Sequence, residues 1–432
     1  MLSLIGFLLV LTIIILLLKG KMSPIVVLIL IPSIAAILIG TDISSLKEMI
    51  KSGIGTVSNN AILFIFSIIF FCIMSDVGVF DVIVDKLVNL AGDNVVAITV
   101  ATGIIGIIAH LDGATATTVL ITVPTMYPIY KRMGIRPQVL LCLTACAMGV
   151  MNLLPWGGPV ARAATVLSMD ATELWLKLIP IQIVGIIITI LLAILLGTIE
   201  KKRGAGTTLK INTSYDKETK NKLDPKFKKF LPINIILTIG VIAALMLDLL
   251  QSYYIFMIGL SIALCINYPN LKEQNEKIKE HAASALIISA TILSAGIMVG
   301  IMDKTGMIEA MAATLTGIIP SFLGRFTHII FGILALPMGL LVGTDAYFFG
   351  LMPPILEVGK AFGIDGINTA MAMLIGKNVS LMISPLVPAT YLALGLVDNL
   401  ELGEHIKFSF KYLYIISIIM VLSGIVLGIV KL

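Results

Sequence analysis

Apolar residues run through this chain in long unbroken blocks, at 2–18, 25–39, 183–196, 233–247 and 414–430. They show neither the alternation of a half-buried strand nor the charged face of a soluble helix. Several approach or exceed the ~18–20 residues that carry a helix across a hydrocarbon core about 30 Å thick. The pattern predicts a polytopic bundle of membrane-spanning helices. It excludes an outer-membrane barrel, whose strands alternate apolar and polar positions.

One long polar segment interrupts the blocks, at 200–229, where Lys201, Lys202, Arg203, Lys210, Lys217, Lys220, Lys222, Lys226, Lys228 and Lys229 outweigh the acids. Such a stretch is expelled from lipid, and its basic excess places it in the cytoplasm. It divides the chain into 1–199 and 230–432 with a linker between them.

Those two parts resemble each other at an offset of about 228–230 positions. Asp76 falls opposite Lys304, Asp112-Gly113 opposite Val342-Gly343, Gly134-Ile135 opposite Gly363-Ile364, Pro155 opposite Pro385 and Asp170 opposite Asp398. A colinear series at one offset indicates duplication. Each part then reads as two spans, a third span, a short mixed-charge segment, a pair of apolar arms broken at the middle, a helix interrupted by proline and glycine, and a last span. If the broken pair is a re-entrant hairpin, each part crosses five times. An odd number inverts the second part relative to the first, as in many secondary transporters. The expected fold is therefore all-α: two inverted repeats, each of five transmembrane helices plus a re-entrant hairpin, with Pro/Gly-broken helices. Hairpins that cross fully would instead give twelve spans and cytoplasmic termini.

Charge refines the picture. With 200–229 inside and ten crossings, both termini lie outside, and Lys19, Lys21, Lys131, Arg132, Arg136, Lys272, Lys277 and Lys279 all fall in the cytoplasm. The acidic loop 398–405 runs against this trend. Hydrophobic residues make up 58% of the chain and charged residues 13%, with a net charge of +5 concentrated in the linker, which is a topology signal rather than a nucleic-acid footprint. The first apolar block lacks an A-x-A-like cleavage site and is followed almost at once by another span, so it reads as a retained helix. Cys72, Cys142, Cys146 and Cys265 lie in apolar segments at spacings that suit neither disulfides nor a zinc site.

Backbone can be broken at membrane depth only where it meets protein or a wet cavity. The four interruptions are thus the places to look for chemistry. The first, 110–118, holds Asp112, Gly113, Thr115 and Thr117, with His110 one turn before them. An Asp at bilayer depth costs about 3 kcal/mol on insertion scales, so this tip is expected to hold substrate or a cation. The plainer alternative is a surface loop with Asp112 capping the next helix. Its counterpart is Gly343-Thr344-Asp345. Two carboxylates from opposite sides suit a cation that arrives with its substrate, with Asp112 and Asp345 as candidate contacts and no fixed protein-only metal site. The third interruption, 151–162, contains Asn152, Pro155, Gly157, Gly158, Pro159 and Arg162. A half-helix beginning there would offer free N–H groups to an anion, and Arg162 would add a fork for a carboxylate or else pair with an acid. The fourth, 377–390, contains Lys377, Asn378, Ser380, Ser384 and Thr390 around a second Pro-x-x-Pro break. Lys377 would neutralise substrate charge, stand in for a cation or pair with an acid. His110, Asp112, Asp345 and Lys377 are the candidates for proton coupling.

The run LDGATATTVLITVPTMYPIYKRMGI, followed by GVMNLLPWGGPVARAA, resembles the signature of the citrate–divalent metal–proton symporter family (CitMHS) of the ion transporter superfamily. The match is clearest over 105–170, and the layout fits the whole chain. One departure is that Asp112-Gly113 is followed directly by Ala114, leaving one acid fewer than expected at the tip. The resemblance implies a symporter in a bacterial cell (inner) membrane. Citrate would be taken up as a complex with a divalent cation of the magnesium or calcium type, together with H+, and no permanent cofactor would be needed. It also implies a homodimer working by an elevator motion, its fixed scaffold made of the first two spans and the last span of each repeat. Asp112, Thr115, Thr117, Asn152, Gly157, Gly158 and Arg162 match motif positions. Thr344, Asp345, Ser384 and Thr390 follow from the repeat.

Three other readings remain at this point. One is a carrier for a dicarboxylate or gluconate coupled to H+ or Na+. An intramembrane enzyme with Asp112 and Asp345 as a proton-sharing pair is the second, and a channel the third. No H-E-x-x-H, G-x-S-x-G or P-loop sequence is present.

Overall fold

The structure, a computed structural model, describes residues 2–19, 21–206, 225–247, 249–398 and 400–431. Most of the basic linker lies outside them. Every regular element among the described residues is helical. The first part comprises α1 (Leu2–Leu18), α2 (Pro24–Leu38), α3 (Ile43–Asp76), α4 (Asp81–Ala91), α5 (Val95–Ala109), α6 (Thr115–Met133), α7 (Pro137–Met151), α8 (Gly158–Val166) and α9 (Ala171–Lys202). After the short α10 (Pro225–Lys228) the order recurs: α11 (Leu231–Met246), α12 (Ser252–Asn267), α13 (Leu271–Lys304) and α14 (Met307–Thr316). A single turn, α15 (Ser321–Gly324), precedes α16 (Thr327–Leu341), α17 (Met352–Ala361), α18 (Gly366–Asn378), α19 (Pro388–Gly395) and α20 (Leu402–Val426). Stretches α3, α5 with its following turn, α9, α13 and α20 are long and apolar enough to cross a membrane.

α3 and α13, each of 34 residues, pack along one another. Their contacts run in opposite directions. Gly53 meets Gly296 and Gly300, Ser289 donates to the Ala61 carbonyl at 3.0 Å, and Asp76 accepts from Lys277 and His281, so the helices are antiparallel. Ala61 and Ser289 stand 228 positions apart, at the repeat offset. A Cβ on Gly53 would lie 2.1 Å from the Gly296 carbonyl oxygen, so any side chain there would force the two helices apart. α2 packs on α13 and its counterpart α12 packs on α3.

The hairpin arms and broken helices form a second group, in which α5 contacts α7 and α9, and α16 contacts α18 and α20. Here the structure corrects an expectation. The final spans α9 and α20 pack with the hairpins and with each other, whereas the third spans α3 and α13 join the first two. The cause is close approach at small residues. Gly197 of α9 leaves room for Thr99 and Val96 of α5, and Gly185 for Val150 of α7, with added Cβ atoms falling 2.2 and 2.8 Å from them. At its far end α9 is fixed by Glu200, whose fully buried carboxylate takes Arg136 at 2.5 Å and Arg203 at 2.8 Å.

Both pairs of arms are broken where the sequence predicted. α5 ends in a 3-10 turn, His110–Asp112, and Gly113 turns the chain with φ +70° into α6. In the second part, a π-helical turn, Ala346–Leu351, follows Asp345 and leads into α17. This turn was not anticipated. Pro353 and Pro354 lack N–H groups, so the carbonyls before them lose their usual partners and the helix widens.

Candidate functional site

All four interruptions meet at one cavity of about 670 Å³. The first tip contributes Asp112, Gly113, Ala114 and Thr115, and the second Gly343, Thr344, Asp345 and Ala346. Asn152, Trp156, Gly158, Pro159 and Arg162 come from the first broken helix, and Leu381, Leu386, Val387 and Pro388 from the second. The remaining wall is α3 (Ile68), α13 (Ser284, Ile288) and the junction of α1 and α2 (Leu17, Met22, Pro24).

Three helices begin at this wall: α6 at Thr115, α8 at Gly158 and α19 at Pro388. The first N–H groups of a helix have no partners within it, and its N-terminus carries partial positive charge. Three such ends around one cavity, with Arg162 one turn into α8 and reaching back to its N-terminus, make a surface suited to a multiply charged anion.

At the first tip the Asp112 carboxylate folds back, Oδ1 accepting the Ala114 N–H at 2.8 Å. Its other oxygen, Oδ2, is buried without a partner among the described residues. The tip is seated by Trp156, whose indole N–H donates to the Leu111 carbonyl at 2.7 Å and whose ring stacks on Phe71 at 4.7 Å. Gly113 lies against this indole, where a Cβ would come within 3.0 Å of the Trp156 carbonyl oxygen. His110 sits behind the tip, fully buried, its Nδ1 2.7 Å from Thr118 Oγ1. Neither His110 nor Thr117 is among the residues that line the cavity.

The second tip is held by two cations. Arg162 Nε donates to Asp345 Oδ1 at 2.6 Å, joining the two parts of the chain across the cavity. Arg162 Nη1 donates to the Gly158 carbonyl at 2.9 Å, in the space that a Cβ on Gly158 would take. Lys377 is buried behind the wall. Its ammonium donates to Thr344 Oγ1 at 3.0 Å and lies 5.3 Å from the centre of the Phe348 ring. Of the alternatives open for Arg162, pairing with an acid is thus what the structure displays.

The other candidates shape the breaks. Gly157 allows the turn before α8, where a Cβ would stand 2.6 Å from the Asn152 carbonyl oxygen. Ser384 accepts the Leu386 N–H on its hydroxyl and the Thr390 hydroxyl on its carbonyl. Asn378 and Ser380 are buried beneath the second tip, with polar side-chain atoms lacking partners among the described residues, as does Asn152 Nδ2 at the cavity. Sequence reasoning missed Trp156 as a site residue, although it stands inside the quoted motif, and missed Ser284, for which an apolar helix gives no signal. It also missed a cluster below Ser284, where Asp76, Glu280 and His281 bring possible metal-ligand atoms within 4.8 Å of one another. There the Lys277 ammonium already takes the cationic position, 2.9 Å from Asp76 and 2.8 Å from Glu280.

Over 90% of both chains, the fold is similar to the crystal structure of the Alcanivorax borkumensis YdaH transporter, with a TM-score of 0.61 and 15% identity. It is also similar to the structure of Neisseria gonorrhoeae MtrF, a member of a class of antimetabolite efflux pumps, with a TM-score of 0.64 and 13% identity over 88% of this chain and 84% of that one. In sequence the chain is 35% identical over 431 residues, the full length of both, to a citrate transporter of Bacillus subtilis (strain 168). It is 34% identical over 432 residues, 99% of each chain, to a Mg(2+)/citrate complex secondary transporter of the same organism. With the CitMHS family model, described as citrate transporter, matching residues 5–376, the chain belongs to that family and is a multi-pass membrane transporter rather than an enzyme.

Proposed function

We propose that this protein takes up citrate as a complex with a divalent cation, together with protons, by alternating access. The observation that carries the reading is the convergence of three helix N-termini, Arg162 and two carboxylates on one cavity. An anion alone would need only the first two features. The carboxylates of Asp112 and Asp345 suit a substrate that brings its own cation, and the relative named for a Mg(2+)/citrate complex supports the same choice. Asn152 and Thr115 would bind polar groups of the substrate, while Gly157, Gly158 and Gly343 let the backbone approach it. Asn378, Ser380, Ser384 and Thr390 would hold the second break in shape. His110, Asp112, Asp345 and Lys377 are the groups placed to exchange protons.

Charge explains the coupling. Citrate carries about three negative charges near neutral pH, and each costs about 2.3 kcal/mol per 100 mV to move toward a negative interior. A bound divalent cation leaves one negative charge, and two co-transported protons turn the step electrically favourable.

The two parts of the chain are inverted repeats in this reading, supported by the recurring element order and the antiparallel α3–α13 pair. The basic linker is cytoplasmic and both termini lie outside. The cavity then opens toward the cytoplasm, beside Met22 and Ser284. The hairpins, broken helices, α9 and α20 move as an elevator against α1–α3 and α11–α13, within a homodimer. The test is citrate uptake into proteoliposomes with magnesium, calcium or no divalent ion, for wild type and Asp112→Asn. Metal-dependent uptake that the substitution strongly reduces is expected. Equal uptake without any metal, or with the proton gradient collapsed, would sink the coupling.

A further inference from the structure

We propose that Asp345 selects the metal-bound form of the substrate by carboxylate exchange at Arg162. A substrate carboxylate takes over the guanidinium, and the released Asp345 carboxylate turns to the cation that the substrate carries. This inference rests on the function proposed above and assigns its selectivity to one residue.

The Arg162–Asp345 pair is built for exchange. Both residues line the cavity, their side chains are 14% and 20% exposed, and a single contact of 2.6 Å joins Nε to Oδ1. Glu200 shows what a permanent pair looks like in this fold: its carboxylate is fully buried and held by two arginines through both oxygens. Arg162 stands one turn into α8 and reaches back to the Gly158 carbonyl, so an incoming carboxylate meets free N–H groups and the guanidinium together. Asp345 therefore occupies the very partner that the anion needs.

Charge then decides which anion completes the exchange. Among the described residues, the charged side chains of the cavity wall are Asp112, Asp345 and Arg162. When Arg162 turns to the substrate, Asp345 is left negative beside it. The nearby Lys377 ammonium is on Thr344, and Asp112 adds a second carboxylate whose Oδ2 is unpartnered among the described residues. Free citrate would bring more negative charge to these two acids. A citrate–metal complex brings a hard cation, which oxygen ligands accept. Arg162 is then paired with the substrate and Asp345 with the metal, so neither member of the broken pair is left without a partner.

The test compares magnesium citrate, citrate with EDTA, and magnesium alone on detergent-purified protein, read as thermal stabilisation and as uptake after reconstitution. Wild type is expected to favour magnesium citrate over metal-free citrate. In Asp345→Asn that preference should fall about tenfold or more, the scale on which removing one partner of a close charge pair acts. Asp345→Glu should restore it. A preference in Asp345→Asn equal to that of wild type overturns the exchange while leaving citrate–metal transport standing. No response of wild type to either form of citrate overturns the proposed function and the exchange with it. Should Asp345→Asn fail to fold, wild type labelled with carbon-13 at its aspartate carboxyls gives a second reading. An infrared carboxylate band should shift with magnesium citrate and not with magnesium alone. An unmoved band overturns the proposal.

Discussion

Asp112 and Asp345 stand at the tips of two hairpins that occupy matching places in the chain, yet they are held in different ways. Asp112 bonds to its own backbone two residues on and keeps one oxygen without a partner among the described residues. Asp345 reaches into the other part of the chain and pairs with Arg162, while its neighbour Thr344 is held by Lys377. The supports differ as well. Trp156 seats the first tip through an indole N–H, and the second is anchored by cations. Recurring topology thus sets where an acid stands, and the side chains brought up by the other elements set what it can do. The first tip keeps a carboxylate oxygen without a protein partner among the described residues. The second releases one only when Arg162 finds another partner.

The strongest way to break this comparison is Arg162→Gln, which frees the second tip and removes the carboxylate fork. Citrate uptake by proteoliposomes should drop about 100-fold, since a charge pair loses one member and an anion site its only lining cation among the described residues. Asp112→Asn comes next. Its amide oxygen can still accept the Ala114 N–H, so melting temperature in detergent should hardly change while uptake falls about tenfold or more. Lys377→Met sharpens the contrast at the second tip. It should slow uptake several-fold while leaving stability equal or higher, because a buried ammonium with no carboxylate within 4.0 Å among the described residues is replaced by an apolar chain of similar length.

The smallest effect concerns the outer arm of the first hairpin. Tyr127 OH and Lys131 Nζ of α6 both donate to Asp398, at 2.7 and 2.9 Å. The Tyr127 bond first, and then Lys131, hold this carboxyl below its ordinary 3.8. A carboxyl lowered in the folded protein stabilises it above the ordinary value, and the contribution is lost as pH falls through the lowered one. Asp398→Asn should therefore raise hydrogen exchange in α6 slightly at neutral pH. The difference from wild type should vanish well below pH 3.8.

Much of this fold was legible because broken helices carry their own punctuation. Pro155, Gly157, Gly158 and Pro159 mark the first break without reference to anything else, and the short polar runs at Asp112 and Asp345 mark the tips. The partners of those residues were not legible. Arg162 and Asp345 are 183 positions apart, and nothing local distinguishes an arginine facing a substrate from one facing an aspartate. Lys377 was conspicuous as a charge in an apolar helix, but its hold on Thr344 depends on how α18 meets the tip. The place of α9 was hidden for a similar reason. Gly185 and Gly197 look like ordinary small residues of a span until Val150 and Thr99 are set against them. Ser284 reaches the cavity only because α13 runs antiparallel to α3.

That antiparallel crossing has one more consequence. Ala61 touches Ser289 at the repeat offset, as the two faces of a symmetric dimer touch at their axis. In a true dimer a substitution would appear on both faces at once. Here one covalent chain supplies both, so Gly53 can change without its counterpart changing, and Asp76 can face Lys277 and His281 with no matching trio opposite. In the proposed inverted-repeat reading, a dimer threaded onto a single chain keeps the geometry of symmetry and escapes its obligation, which would let one cavity hold two aspartates with separate duties.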